Sequence, residues 1–192
     1  MNKSAEIHES AYIDDGAKIG SGTKVWHFVH VMSGAVIGSN CSLGQNVFIG
    51  ENVRIGDGVR IQNNVSVFEG VMIESGVFVG PSSVFTNVLY PRSFVSQKKS
   101  FVKTIVREGA SIGANATVIC GNEIGRYAMV GAGSVVTHDV KDHELVRGNP
   151  SRHLGWVSKH GLRLRLIDDL GICPSTGERY KLVQGALKKW ES

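Results

Sequence analysis

A large apolar residue recurs at every sixth position of the chain. In the first half of the chain no polar residue breaks this series, which consists of Ile7, Ile13, Ile19, Val25, Val31, Ile37, Leu43, Ile49, Ile55, Ile61, Val67, Ile73, Val79 and Phe85. Three positions after each member there is usually Gly or Asn, and four positions after it a small or β-branched residue. Because Gly and Asn tolerate positive φ best, each hexad is predicted to contain a tight turn with one left-handed residue.

This period predicts a solenoid of short parallel strands joined by tight turns. Helix is excluded, because a period of six with such frequent Gly and Asn is hostile to helical structure. The large apolar residue of each hexad is expected to point inward, and successive coils are expected to stack about 4.8 Å apart.

The series is interrupted once, after Phe85, and resumes 21 residues later at Val106. Since 21 is not a multiple of six, a segment within about 88–103 is predicted to leave the solenoid wall as a loop. Such a loop is where a rigid scaffold carries specificity; a tolerated surface insertion is the alternative. The repeat ends beyond Asp139, so we divide the chain into a solenoid over 1–140 and an extension over 141–192. The extension is expected to cap the open end with mixed structure, including a helix near 186–190.

The amino-acid composition excludes some classes of protein but does not indicate a particular function. The 192 residues are 42% apolar and 20% charged, which is ordinary for one main globular domain. The net charge is +4, and the basic residues are not massed on one element, which argues against nucleic acid. No secretory signal and no run long enough to span a bilayer is present, so we expect a cytoplasmic protein without membrane insertion. The three cysteines argue against a disulfide framework.

The hexads resemble those of the hexapeptide-repeat acyltransferases, and GNPSR at 148–152 is similar to the segment that ends the repeat in that family. The resemblance implies an all-β fold, a left-handed parallel β-helix with three hexads in each triangular coil. Residues 18 apart would then stack on one edge or face. The left hand is implied by the resemblance alone, because strand sterics favour right-handed crossovers.

Stacking at this interval places turn residues on separate edges. The residues two positions after each inward residue form one edge with Asp15, Ser33, Glu51, Glu69 and Asn87, and another with Glu9, His27, Gln45, Asn63 and Pro81. Glu69 and Asn87 are therefore expected to be neighbours beside the loop. His27 is expected on a different edge, which a cyclic trimer could bring to Asn87 of a neighbouring subunit.

Acetyl transfer to an amine, the reaction that the resemblance implies, requires a free amine, a proton acceptor and a donor to the oxyanion. We take Asn87, His27 and Glu69 as the candidate catalytic residues. Asn87 could orient the amine or donate to oxygen, and Glu69 could hold the ammonium or take the proton. His27 or His30 could serve as base, because imidazole titrates near working pH. A strong base is not needed if the sugar amine is already weakly basic.

Two further groups of residues are candidate sites: an aromatic turn that departs from the repeat, and a set of polar side chains that could bind substrate. Trp26, His27 and Phe28 occupy a turn where other hexads have small or polar residues, which indicates a subunit contact, a ligand site or both. Phe28 holds a Gly/Asn position, so a wider or differently shaped turn is predicted there. The remaining candidates for substrate binding are His30 and the loop cations, which suit phosphates or a sugar carboxylate unless they are merely solvated: Arg92, Lys98, Lys99 and Lys103.

Over nearly the whole chain, several segments together resemble bacterial sugar-nucleotide N-acetyltransferases: VWHFVHV, NNVSVFEGV, GPSSVFTNVLYPRS, GASIGANATVICG, VGAGSVVTHDV and GNPSRHLGWVSKHG. The closest group acetylates the 3-amino group of UDP-2-acetamido-3-amino-2,3-dideoxyglucuronic acid for lipopolysaccharide O-antigen. The resemblance implies an acetyl-CoA donor, a UDP-amino sugar acceptor and a homotrimer with sites between subunits. The alternatives are a dTDP-3-amino-3,6-dideoxyhexose as acceptor and a non-catalytic hexapeptide scaffold.

The resemblance also implies where coenzyme A lies. Its pantetheine would follow a seam of small residues in the later coils, and its phosphates would meet cations near the end of the repeat. The candidate cofactor-binding residues are Gly113, Ala114, Gly131, Ala132, Arg147, Arg152 and Lys159.

No metal is expected. His138 and His143 share the spacing of a zinc-binding pair in γ-class carbonic anhydrases, but a third ligand is missing. The segment from Cys173 resembles half of a zinc ribbon, and only Ser158–His160 stands where its partner would be sought. Cys41 is expected in the core, whereas Cys120 falls at a turn and could be exposed.

Overall fold

A computed structural model describes residues 4–97 and 100–190 of the chain. The described residues form β-strands and turns, without a helix, and so include no helix that could cross a membrane. The strands of the solenoid are β1 Glu6–Ile7, β2 Tyr12–Ile13, β3 Lys18–Ile19, β4 Lys24–Val25, β5 His30–Val31, β6 Val36–Ile37, β7 Ser42–Leu43, β8 Phe48–Ile49, β9 Arg54–Ile55, β10 Arg60–Ile61, β11 Ser66–Val67, β12 Val71–Ile73, β13 Phe78–Val79, β14 Val84–Phe85, β15 Thr104–Val106, β16 Ser111–Ile112, β17 Thr117–Val118, β18 Glu123–Ile124, β19 Met129–Val130 and β20 Val135–Val136. The remaining strands are β21 Glu144–Arg147, β22 Arg152–Val157, β23 Arg163–Leu164, β24 Leu170–Ile172, β25 Arg179–Val183 and β26 Ala186–Lys189.

Successive strands of the solenoid fall in turn on three parallel sheets, which we call faces A, B and C. Face A begins β1-β4-β7-β10, face B begins β2-β5-β8-β11, and face C contains β3, β6, β9, β12, β15 and β18. Ile61 pairs with Val79, so the same hexad position stacks from coil to coil. The turns from A to B, B to C and C to A form three edges, called corners AB, BC and CA. The all-β parallel solenoid that the period predicts is confirmed.

The inward residue of each hexad fills one continuous core. Val31, Leu43, Ile49, Val67 and Phe85 are fully buried in it. The left-handed turns are also confirmed, with positive φ at the positions Gly16, Gly22, Gly34, Asn40, Asn46, Asn52, Gly58, Asn64, Gly70 and Gly76. Most hexads of the solenoid therefore combine an apolar inward residue with a turn of the same type; the loop replaces the turn after Phe85.

Two expectations about single residues are wrong. Phe28 has a φ of 57°, the same as Asn46, so its turn is not wider; its ring points to solvent, and its N–H donates to Ser10 Oγ at 3.1 Å. Cys120 is buried rather than exposed, as is Cys41. The returning end of the loop covers Cys120's corner, where Gly121 N–H donates to the carbonyl of Lys103 at 3.1 Å.

The interruption is a loop that leaves corner BC after β14 and returns before β15. Its base is closed by a hydrogen bond from Val102 N–H to the carbonyl of Asn87, at 2.9 Å. Ile73 pairs with Val106 across the insertion, so the solenoid continues in register above the loop.

The C-terminal extension consists of antiparallel strands. β21, β22 and β23 extend face A, and β24, β25 and β26 form a separate sheet. The helix expected near 186–190 is wrong, because β26 there pairs with β25. Gln184 and Gly185 both have positive φ, which is typical of a two-residue hairpin turn and directs the chain back along β25.

The cap has a small core of its own and contacts the last coil through aromatic rings. Trp156, Leu164, Cys173, Tyr180 and Leu187 form that core. The His143 ring, on corner CA, lies between Tyr127 and Tyr180 with ring centroids 5.2 and 5.3 Å away.

The segment that begins at Cys173, which resembles half of a zinc ribbon, packs against Ser158. Cys173 Sγ lies 3.3 Å from Ser158 Oγ and 3.4 Å from Ser175 Oγ. Hydrogen bonding from Ser158, then from Ser175 and Thr176, lowers the pKa of the Cys173 thiol to about 6, against the opposing effect of burial. Within 4–97 and 100–190, no group of three or more His, Cys, Asp or Glu could hold a metal ion.

Candidate active site

A groove of about 430 Å³ runs along corner BC below the loop. Its lining combines apolar side chains, two carboxylates and one amide: Met32, Phe48, Gly50, Glu51, Phe68, Glu69, Asn87 and Phe101. These residues come from four consecutive coils and from the end of the loop. With about 4.8 Å between coils, the groove is about 14 Å long and suits an elongated ligand.

Glu69 and Asn87 lie together in this groove because they occupy the same position of stacked hexads. Ser66 of β11 pairs with Val84 of β14, which places the following turns one above the other. Asn52 Nδ2 donates to Glu69 Oε1 at 3.1 Å and so orients that carboxylate. The side chain of Asn87 makes no hydrogen bond within the described part of the chain, so its amide is available to a ligand.

Several residues of the groove were not recognised as site residues in the sequence. Glu51 lies on the same edge as Glu69 and Asn87. That shared hexad position is the one feature of the sequence that could have indicated Glu51 as a site residue. Phe48 and Phe68 form an aromatic wall with ring centroids 5.5 Å apart. Phe101 could not be recognised in the sequence, because only the folded loop brings it into the groove that Asn87 lines.

The two candidate histidines lie outside the groove lining. His27 is on corner AB, where its ring lies against that of His8, tilted by 31° with centroids 3.6 Å apart. His30 points outward from face B, with Nε2 3.0 Å from Asp14 Oδ1. Its ring contacts Phe48 at 5.7 Å, which puts it beside the groove's N-terminal end. Within one subunit, therefore, neither histidine is positioned next to Asn87.

The loop cations do not line the groove in the part of the loop that the structure describes. Arg92 is exposed and donates to the carbonyl of Pro91 at 2.9 Å, and Lys103 is exposed at the loop's return. Lys98 and Lys99 lie outside the described residues. The groove thus presents carboxylates to a ligand, and none of its described lining residues is Lys or Arg.

The small residues proposed for coenzyme A meet at corner AB of the later coils. A Cβ on Gly113 would collide with the backbone nitrogen of Ala132, so this glycine is required by the close approach of successive coils. Ala114 and Gly131 belong to the same strip, and Arg147 lies beside Gly131. Arg152 pairs with Arg147 across β21 and β22, which gives the strip a cationic end.

Lys159 does not belong to this group. Its Nζ lies 5.4 Å from the centroid of the Tyr127 ring, and its backbone N–H donates to Tyr180 Oη at 2.9 Å. Both contacts are at corner CA, because the cap turns back over that side. Lys159 therefore lies on a different corner from Arg147 and Arg152, and its role in binding the cofactor stays a prediction.

A larger cavity of about 590 Å³ lies on face C, and three of its four charged lining residues, Glu74, Glu108 and Arg126, are held in ion pairs. Arg107 bonds Glu74 at 2.9 Å and Glu123 at 2.7 Å, and Arg126 bonds Glu108 at 2.8 Å. The hydrogen bond from Arg107 is the main cause that lowers the pKa of Glu74. Paired charges of this kind stabilise the coil stack, whereas those of the corner BC groove face open space.

Comparison with known proteins agrees with the fold. Residues 25–88 match the model described as the GMPPB C-terminal domain, and residues 104–138 match the hexapeptide repeat of succinyl-transferase. A dTDP-3-amino-3,6-dideoxy-alpha-D-galactopyranose 3-N-acetyltransferase of Aneurinibacillus thermoaerophilus is 50% identical over 91 residues. The match covers 47% of this chain and 47% of that protein, so this chain spans about half the length of that relative.

Two solved structures extend this likeness. A hexapeptide-repeat acetyltransferase of Vibrio cholerae, complexed with acetyl coenzyme A, is 27% identical with a TM-score of 0.57 and covers 65% of this chain and 72% of its own. AntD, an N-acyltransferase from Bacillus cereus complexed with dTDP and coenzyme A, is 18% identical with a TM-score of 0.57 and covers 82% and 85%, which shows the fold alone. The chain thus has the parallel β-helix fold, consistent with left-handed hexapeptide repeats, and the relatives described above are acyltransferases.

Proposed function

We propose that the protein transfers an acetyl group from acetyl-CoA to the amino group of a nucleotide-linked amino sugar, and that the acceptor is a dTDP-3-amino-3,6-dideoxyhexose. This acceptor replaces the UDP-linked uronic acid expected from the sequence, since the 50% identical relative is named for a dTDP-linked 6-deoxy sugar. The observation that carries the proposal is the lining of the groove: an amide and two carboxylates beside an aromatic wall.

The lining suits the two ends of a 6-deoxy amino sugar. Glu51 and Glu69 attract an ammonium group, and the rings of Phe48, Phe68 and Phe101 offer apolar surface to a methyl group. A uronic acid would instead place a carboxylate near two others without a Lys or Arg in the described lining. Like charges at short range oppose binding, so this groove discriminates against the uronate.

The proposed reaction needs few groups from the protein. The free amine attacks the thioester carbonyl, the C–S bond breaks, coenzyme A leaves as its thiol, and the amine loses one proton. Asn87 orients the amine or donates to the developing oxyanion, because its amide is free within the described structure. Glu69, held by Asn52, binds the incoming ammonium. His27 remains the candidate proton acceptor only if a neighbouring subunit supplies it.

The donor is proposed to lie along corner AB of a neighbouring subunit in a homotrimer. The small-residue strip there allows a pantetheine chain to approach the backbone, and Arg147 and Arg152 offer charge to its phosphates. The use of acetyl-CoA fits the cytoplasmic location that the sequence predicts. Lipopolysaccharide O-antigen sugars remain the proposed destination of the product.

The test is release of coenzyme A thiol from acetyl-CoA across dTDP- and UDP-linked 3-amino sugars. We expect kcat/KM for a dTDP-3-amino-3,6-dideoxyhexose to exceed that for the UDP-3-amino uronic acid at least about tenfold, equivalent to about 1.4 kcal/mol. Preference for the uronate would overturn the acceptor. No thiol release with any amino sugar would favour the non-catalytic scaffold.

A further inference from the structure

The cap sheet of β24, β25 and β26 buries one side and exposes the other. Its inward side contributes Tyr180 and Leu187 to the core of the cap. Successive residues of a strand point to opposite sides of a sheet, so the alternate residues face outward. We call these outward residues the outer cap surface, which consists of Leu170, Ile172, Arg179, Lys181, Val183, Lys188 and Trp190.

Large apolar side chains are exposed on this surface. Ile172 is 61% exposed, Trp190 is 39% exposed and Leu170 is 36% exposed. These three residues line a hollow of about 150 Å³, and Trp190 is held beside it by a hydrogen bond from its N–H to the carbonyl of Arg179, at 2.8 Å. Contiguous exposed apolar surface of this kind marks an interaction site.

Cations stand among the apolar side chains in the same cross-strand rows. One row of the outer cap surface consists of Leu170, Lys181 and Lys188, and the next consists of Ile172, Arg179 and Trp190. Within residues 4–97 and 100–190, none of these three cations forms an ion pair. The surface therefore presents positive charge and hydrocarbon together.

The acidic residues of the cap do not neutralise this surface. The Glu178 carboxylate is already held in an ion pair at 2.9 Å. Asp168 and Asp169 lie in the turn before β24, at one end of the sheet. Asp168 lines a second hollow of about 520 Å³ together with Arg163 and Arg165, so two further cations border the outer cap surface at that end.

We propose that the outer cap surface attaches the protein to the surface of a bilayer that contains anionic phospholipid. Lys and Arg attract anionic headgroups, while indole and aliphatic side chains enter the boundary between headgroups and acyl chains. A bilayer offers both partners at every point. A nucleic acid offers phosphates and bases that stack on aromatic rings, but Trp190 is the one aromatic residue of this surface. The alternation of aliphatic and cationic residues therefore favours lipid.

Attachment through the cap leaves the candidate active site open. The cap contacts the solenoid at corner CA, where Lys141 Nζ donates to the carbonyl of Gly185 at 2.8 Å. The groove lies on corner BC, and the coils that contain β16–β20 separate its upper end from the cap by about 10 Å. The attachment is thus independent of the proposed function, and its test does not use activity.

Co-sedimentation with lipid vesicles tests the attachment. The vesicles contain phosphatidylcholine with about 30% phosphatidylserine, or phosphatidylcholine alone, at about 0.1 M salt. The test variant is Lys181→Glu with Lys188→Glu. Its matched control is Lys18→Glu with Arg60→Glu, at exposed strand positions of faces C and A. Each replacement removes two positive charges, so both double variants lower the net charge from +4 to zero.

We expect the wild type to bind the anionic vesicles and not those of phosphatidylcholine alone. The affinity of Lys181→Glu with Lys188→Glu should fall at least about tenfold, while the control double variant stays close to the wild type. Ile172→Ser keeps the charge but removes an apolar contact, so its affinity should fall at least about threefold. Thermal unfolding shows that each variant is folded before it is compared.

Three results would overturn the proposal. An equal loss of affinity in both double variants would show that net charge alone drives adsorption. Full binding by Ile172→Ser, together with equal affinity for duplex DNA at the same phosphate concentration, would assign the surface to polyanions in general. A smaller solution mass for Lys181→Glu with Lys188→Glu than for the wild type, measured by sedimentation without lipid, would assign it to a contact between copies of this chain.

Discussion

Corners AB and BC border the same face of the β-helix, but their turn side chains have different partners. On corner AB, Asn63 Oδ1 accepts from Gln45 N–H at 3.0 Å and Asn46 Nδ2 donates to Asn64 Oδ1 at 3.1 Å, so each coil is tied to the next. On corner BC, the side chains of Glu51 and Asn87 have no such partner in the described part of the chain. At this hexad position Asn63 is structural on corner AB, whereas Glu51 and Asn87 on corner BC are open to a ligand; in the early coils of corner BC, Ser33 Oγ still donates to the carbonyl of Asp15 at 2.9 Å.

The difference shows how a repeat can acquire a site without changing its fold. Coil stacking by backbone hydrogen bonds does not depend on the turn side chains, so a corner can lose some of its side-chain hydrogen bonds between coils at modest cost. The inserted loop then leaves beside those open side chains and returns Phe101 over them. The following predictions test this division between a structural and a functional corner.

The largest expected effect is on stability at corner AB. Gly113→Ala should lower the free energy of unfolding by about 3 kcal/mol, because its Cβ collides with the next coil. Gly133→Ala has open space but a φ of +68°, so it should cost about 1 kcal/mol. Urea unfolding measures both. If Gly113 served only coenzyme A, its variant would instead keep full stability and raise KM for acetyl-CoA.

The next effect is on turnover at corner BC. Asn87→Ala should lower kcat at least tenfold, about 1.4 kcal/mol in barrier, with little change in stability. Its matched control is Asn63→Ala, at the same hexad position of corner AB. That variant should lose about 1 kcal/mol of stability, since a backbone N–H loses its acceptor, and keep its rate. Normal turnover in Asn87→Ala would remove this residue from the mechanism.

A smaller effect is expected at Asn52, which forms a left-handed turn of the solenoid and also bonds the groove residue Glu69. Asn52→Gly keeps the left-handed turn but removes the hydrogen bond to Glu69, so Glu69 should hold the ammonium less well. We expect KM for the amino sugar to rise about threefold with kcat nearly unchanged, from the loss of one hydrogen bond of about 0.6 kcal/mol. The control is Asn46→Gly, whose bond lies on corner AB. An equal rise of KM in both variants would contradict a role for Asn52 in positioning Glu69.

The smallest effect concerns the cap at corner CA. Burial lowers the pKa of His143 below 6.5, so the unfolded chain binds a proton at a pH where the native protein does not. Stability should therefore fall as pH decreases below about 6.5, while above it the imidazole is neutral in both states. Thermal unfolding of the wild type and of His143→Gln from pH 7.5 to 5.5 measures the difference. Parallel curves would show that His143 does not contribute.

Sequence reasoning was strongest where structure repeats. It predicted the inward residues, the left-handed turns, the position of the loop and the shared edge of Glu69 and Asn87. It was wrong where a residue contacts a segment outside the repeat. Cys120 is buried beneath the returning end of the loop, and residues 186–190 form a hairpin strand rather than a helix. It also missed the aromatic wall, because an outward Phe on one face is indistinguishable in sequence from any other exposed Phe.

By itself the sequence determined the β-helix, because a six-residue period with Gly or Asn at a fixed offset acts locally in every hexad and specifies strand, turn and inward face together. Only the tertiary structure decided which corner is open and what surrounds it. Phe101 enters the groove of Asn87, and Lys159 reaches Tyr127, through the return of segments that lie outside the repeat. Such contacts depend on how a loop and a cap return to the solenoid, and no local period encodes that path.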